Sequence, residues 1–137
     1  MGRTLSRRAS EAGWRFETEG GRSVKPVTNV EELEWQPHPT AKGVEIKVLV
    51  SQATQGTDVT CMLVRIGCGM EVPEHVHDHS DDILYPLVGK ARMWVEGSGD
   101  FSLESGVIVR VPQGTKHRIF DVSEELLLYD VFWPALL

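Results

Sequence analysis

The chain has 137 residues, 41% apolar and 25% charged, a composition that fits one globular domain with its own core. Its formal net charge of −6 offers no positive field to recruit phosphates, so nucleic acid is excluded as an expected partner. The longest apolar runs, such as Leu126-Leu127-Leu128, are far too short to span a bilayer, and no membrane is expected.

Residues 1–10 are basic and rich in serine but lack the apolar stretch of a secretory signal. Composition alone would allow an organelle transit peptide, which Glu11, Glu17 and Glu19 disfavour. The expectation is a cytoplasmic protein in which residues 1–40 form an irregular arm and residues 41–137 a β-barrel domain. Thr28-Asn29-Val30-Glu31 reads as a helix start, with Thr28 as the cap, and Pro37 and Pro39 stop it quickly.

Residues 44–50 alternate apolar and polar for most of their length, which is the pattern of a half-buried strand. A turn at Gln55-Gly56-Thr57-Asp58 leads into a second strand over 59–66, rich in β-formers and broken by Gly67-Cys68-Gly69. Cys61 and Cys68 are too few for a disulfide framework and read as reduced thiols. Strands follow over 83–88 and 91–96, with a turn at Gly89-Lys90, then over 101–103, 107–111, 117–121 and 126–133. Many short strands with almost no helix make an antiparallel barrel or sandwich.

Two blocks carry the chemistry: Gly69-x5-His75-x-His77-x4-Asp82-x6-Gly89 and Gly106-x5-Pro112-x-Gly114-x2-His117-x3-Asp121. His75 and His77 are two apart, so a strand would point both to one face. His117 arrives from a later strand, and a closed sheet would set it opposite that pair. Imidazole plus carboxylate suits Fe, Mn, Ni, Cu or Zn.

The spacing resembles the cupin superfamily, whose motifs read G-x5-H-x-H-x3,4-E-x6-G and G-x5-P-x-G-x2-H-x3-N. The chain departs from them where Asp82 replaces the glutamate and Asp121 the closing asparagine. The resemblance implies an all-β fold, the antiparallel double-stranded β-helix or jelly-roll barrel. It also implies a divalent first-row transition metal held by His75, His77, Asp82 and His117. Asp82 is one methylene shorter than glutamate, and without it three histidines would hold the ion. A set of His77, His79 and His117 is the alternative, and a degenerate cupin that binds no metal is a further one. Asp81 is expected on the opposite strand face, and His38, between two prolines, reads as structural or surface.

Strand parity places Leu84, Pro86 and Ile119 beside the ligands, with Met62, Val64, Met93 and Val95 as neighbours. Tyr129 or Trp133 would rim this cavity or pack outside it, and Arg65, Arg92, Arg110 and Arg118 face outward. An apolar cavity without a basic clamp suits a small neutral or weakly acidic substrate rather than a phosphorylated sugar. The expected function is a metal-dependent enzyme on a small organic substrate, with dioxygenase-type oxidoreductase chemistry as first choice. A redox-neutral isomerase or lyase, a non-catalytic small-molecule-binding cupin and a purely structural metal are the alternatives. Apolar surplus at Phe132, Trp133, Leu136 and Leu137 points to a homodimer, as the resemblance also implies.

Overall fold

The computed structural model describes residues 26–137, so the basic N-terminal stretch and most of the expected arm lie outside the described residues. What is described of that arm is a short 3-10 turn, Val30–Glu32, capped by Asn29 rather than by Thr28. The Asn29 side chain accepts from the Glu31 N–H at 3.0 Å, the short amide reaching an orphan donor of the turn. Eight strands then form one antiparallel sheet: β1 (Gln36–Pro37), β2 (Val44–Val50), β3 (Thr60–Ile66), β4 (Val72–His75), β5 (Asp81–Val95), β6 (Gly99–Glu104), β7 (Val109–Val111) and β8 (His117–Trp133). A single helical turn, α1 (Gln52–Gln55), takes the place of the start of the expected turn and ends at Gly56.

β5 and β8 are the frame. They pair antiparallel along nearly their whole length, from Asp81 opposite Trp133 to Val95 opposite His117. β3 joins the C-terminal half of β8, and β4 joins its N-terminal half. β7 flanks the first half of β5, and β6 the second. The result is the antiparallel double-stranded β-helix expected from the motifs.

Two expected breaks are not breaks. Gly89-Lys90 is no hairpin turn, because β5 runs through it as one 15-residue strand. Residues 117–121 and 126–133 likewise belong to one 17-residue strand. Each strand instead switches faces midway. In β5 the buried residues are Asp82, Leu84 and Pro86 before Gly89, and Ala91, Met93 and Val95 after it. In β8 they are His117 and Ile119 before Asp121, and Val122, Leu126, Leu128, Asp130 and Phe132 beyond it. Even positions face inward in one half of each strand and odd positions in the other. A bulge does this, since one extra residue exchanges the two faces. Gly89 has φ 98 and Asp121 φ 50, and Asp121 is the non-glycine residue with positive φ among those described. Asp and Asn tolerate that conformation better than other side chains do.

Gly89 is also packed too closely for any side chain, because an added Cβ would collide with the Glu125 carbonyl on β8. Gly89→Ala is therefore expected to destabilise the protein by about 2 kcal/mol or more, combining backbone strain with the displacement of β8. Asp121→Asn, which keeps the left-handed preference, should change stability by less than about 0.5 kcal/mol. Urea unfolding of the two variants beside the wild type measures both.

Candidate metal centre

β4 ends on His75, and His77 lies two residues further on, in the connection to β5. The two rings nevertheless stay together, with centroids 4.8 Å apart, edge to face. Their partner arrives as expected: His117 opens β8 directly across from His75, centroids 4.2 Å apart. The Gly114 N–H donates to the His77 carbonyl at 2.8 Å, so the turn of the second motif braces the loop of the first. The ligand atoms of His75, His77 and His117 all lie within 4.8 Å of one another, a group that could hold a metal ion.

The same short-range device orients two of the three rings. His75 Nδ1 is 2.8 Å from the Pro73 carbonyl, and His117 Nδ1 is 2.9 Å from that of Thr115. A carbonyl only accepts, so both Nδ1 atoms carry the proton and both Nε2 atoms present a lone pair. Metal-binding histidines are held in this way, the second nitrogen fixing tautomer and ring angle.

Asp82, buried at 3% exposure on β5, approaches this group from the opposite side. Its Oδ2 is 3.4 Å from His117 Nε2 and 3.7 Å from His77 Nε2. Donor atoms sharing one first-row ion at about 2.1 Å lie about 3.0–4.2 Å apart across it, and both of these separations fall in that range. Among the described residues, Asp82 Oδ1 and His117 Nε2 are buried without any hydrogen-bond partner. Unpaired acceptors of this kind cost about 1–3 kcal/mol each, and a cation between them removes that cost. The residues present fit a divalent ion.

Burial lowers the pKa of His75 to about 4, helped by the neighbouring His117 and His77 and opposed by the Pro73 carbonyl and by Asp82. Burial also lowers that of His77, with Asp82 opposing. Neutral imidazole is the state that binds metal.

Sequence reasoning missed Asp130. It lies on β8 opposite Leu84, is buried, and has its Oδ1 unpaired. Burial raises its pKa well above the usual carboxylate range, and the neighbouring Asp82 carboxylate raises it further. Asp130 is thus biased toward its neutral form next to a second buried carboxyl group. Its signal was present: along Leu126, Leu128, Asp130 and Phe132 it is the one charged residue on the buried parity.

The other candidates sit elsewhere. Asp81 faces outward, ion-paired to Arg110 at 2.9 Å and accepting from the Gln113 N–H at 3.0 Å. The Gln113 N–H, with Arg110, lowers its pKa. His79 is exposed and outside the histidine group, so the set built on it is not the one the fold assembles. Asp121 is exposed at its bulge.

The histidines open into a cavity of about 340 Å³ lined by Met62, Val64, Leu84 and Ile119 as expected, and also by Val72, Leu128 and Phe132. Pro86, Met93 and Val95 are buried but do not line it. No lysine or arginine lines it either. Tyr129 and Trp133 are on the outer face, not at its rim, and Phe132 points inward rather than out.

Stability of the metal-free protein should depend on pH through these rings. Folded His75 takes up a proton only near pH 4, and the unfolded chain does so near 6.5. Between those values the unfolded state binds more protons, so stability is complete above pH 6.5 and is lost as pH falls through about 4. Urea midpoints measured from pH 7 to pH 4 are expected to fall more steeply for the wild type than for His75→Gln. Parallel profiles would contradict the reading.

No curated protein matches the sequence. Solved structures share the fold. KdgF from Halomonas sp. is 24% identical, with a TM-score of 0.65, covering 76% of this chain and 90% of its own. A predicted oxalate decarboxylase from Thermotoga maritima is 21% identical, with a TM-score of 0.69 and coverage of 79% and 98%. The polyketide cyclase RemF from Streptomyces resistomycificus is 14% identical, with a TM-score of 0.70 and coverage of 81% and 80%. With the antiparallel barrel and the histidine group in place, and with the cupin domain family matching residues 62–132 of the 137, the chain belongs to that family.

Proposed function

We propose that the protein is a metal-dependent enzyme acting on a small organic substrate in the cytoplasm. In this reading His75, His77, His117 and Asp82 hold one divalent first-row transition ion, from among Fe, Mn, Ni, Cu and Zn. One observation carries it: three imidazoles and a buried carboxylate converge at the base of a largely apolar cavity. When bound, the ion would supply Lewis acidity or a site for dioxygen. The chain's own residues would supply the rest. Leu84, Ile119 and Phe132 would shield the reacting group from water, and Asp130, its pKa raised by burial, lies beside Asp82. The lack of lysine and arginine in the lining favours a neutral or weakly acidic substrate over a phosphorylated one.

Dioxygenase-type chemistry is the first reaction class to assay, because a four-ligand site on a six-coordinate ion leaves room for substrate and oxygen. Redox-neutral chemistry is the second reading, favoured by the names of two solved neighbours, a decarboxylase and a cyclase. Oxygen uptake with turnover separates the first from the second. Binding without turnover would mark a carrier, and unfolding on metal removal without ligand binding a structural ion. No described helix is long and apolar enough to cross a membrane.

The protein purified without added metal is expected to carry one ion per chain by elemental analysis. The His75→Ala, His117→Ala double variant should lose it, with an affinity drop beyond the roughly 10–100-fold that loss of an outer-sphere partner costs. Asp82→Ala should lose less, and Asp82→Glu should restore or raise affinity. Full retention in the folded double variant would end the metal assignment.

A homodimer is the proposed assembly. Tyr85, Leu87, Val88, Tyr129 and Trp133 are all exposed on β5 and β8, and apolar side chains gathered on one surface favour a partner there. Light scattering at micromolar concentration is expected to give twice the chain mass, and Tyr85→Lys, Tyr129→Lys should halve it.

A further inference from the structure

His38 reads from sequence as a structural or surface residue, yet it lines the cavity together with Thr40. Its ring is held from one side only. Nδ1 accepts from the Thr40 N–H at 3.1 Å and from the Ala41 N–H at 3.0 Å. Backbone N–H groups only donate, so Nδ1 bears a lone pair and the neutral ring carries its proton on Nε2. Among the described residues no hydrogen bond to Nε2 is made. The ring's position is set by the backbone, since the His38 N–H donates to the Val44 carbonyl at 2.8 Å. The adjoining β1 is paired to β2 at Ile46, itself a cavity residue.

The cavity is therefore lined by imidazoles of opposite sense. His75 and His117 give their N–H groups to carbonyls and present lone pairs. His38 instead accepts from the backbone at Nδ1 and carries its N–H on Nε2. With no lysine or arginine in the lining, the His38 N–H is a donor open to an acceptor atom on a bound molecule. We propose that His38 binds the substrate, donating from Nε2–H to an acceptor oxygen. The substrate is then a compact, largely apolar molecule with one oxygen function toward the histidine cluster and a second, uncharged or weakly acidic, toward His38. This rests on the reading of the cavity as the substrate site. Burial lowers the pKa of His38, so the ring stays a neutral donor near pH 7 rather than a cation demanding a counter-charge.

Acetophenone and α-methylstyrene test it. They have the same shape and differ in an oxygen replaced by CH2. Both are titrated by NMR into the full chain as purified, with metal content measured on the same sample. His38→Ala removes the whole ring. His38→Asn keeps an acceptor for the Thr40 and Ala41 N–H groups, as asparagine does in a turn, but withdraws the Nε2–H. The expected result is that the ratio of acetophenone to α-methylstyrene affinity falls about fivefold in both variants, the share of one neutral hydrogen bond. The α-methylstyrene affinity itself should stay within about twofold of wild type. An unchanged ratio in both variants overturns the proposal. A fall in His38→Ala alone does so too, showing the ring to be only a loop staple, as does failure of both probes to bind the wild type. The metal measurement stands apart from these ratios, so loss of the metal reading and loss of the His38 reading give different results.

Discussion

Buried acceptors without donors are what the rest of this structure is arranged around. Asp82 Oδ1 and His117 Nε2 are enclosed by the barrel and have no hydrogen-bond partner among the described residues. The sense of His117 is not free to adjust, because its other nitrogen is committed to the Thr115 carbonyl. Rotating the tautomer to protonate Nε2 would satisfy Asp82 but would set two lone pairs together at Thr115. The carbonyls of Pro73 and Thr115 thus hold lone pairs toward a carboxylate across a gap of 3.4 Å at His117. Such a gap favours a positive charge. Asp130, whose pKa burial and the neighbouring Asp82 raise well above the usual carboxylate range, lies beside Asp82. A divalent ion would answer the demand for charge, because it takes imidazole and carboxylate lone pairs at once.

The barrel reaches this arrangement through two bulges. Asp82 precedes the face switch of β5 at Gly89, and His117 precedes that of β8 at Asp121. The two strands are antiparallel, so these residues lie at opposite ends of the β5/β8 pairing, Asp82 opposite Phe132 and His117 opposite Val95. The double strand must bend and its faces must exchange for both ends to look into one interior. A left-handed residue in each strand does so, and the spacing of both motifs runs to those residues.

This explains which parts of the molecule were legible in the sequence. The histidine spacing and the apolar alternation revealed the barrel, the imidazole group and most of the cavity lining. Glycine next to lysine at 89–90 carries the same local signal as a hairpin turn. Only the Glu125 carbonyl packed against Gly89, a contact distant in sequence, shows that the strand continues. Pro86, Met93 and Val95 face inward as expected but pack into the core away from the cavity, a distinction that strand parity does not carry. Asp130 escaped because a lone aspartate in an apolar strand was not weighed against its neighbours' parity. The role of His38 depends on backbone donors at Thr40 and Ala41, which local sequence does not display.

Fold and site together leave a cavity polar at its histidine base, apolar along its walls and free of basic side chains. That division of labour suits a molecule held by shape and by a few oxygen contacts rather than by charge. The most direct test of the account is anomalous diffraction from a crystal of the metal-loaded protein, collected across the ion's absorption edge. The account predicts one peak per chain, with the Nε2 atoms of His75, His77 and His117 and one Asp82 oxygen each about 2.0–2.3 Å away. A peak on the exposed acidic surface, or none among the three imidazoles in a protein shown to contain the metal, would contradict it.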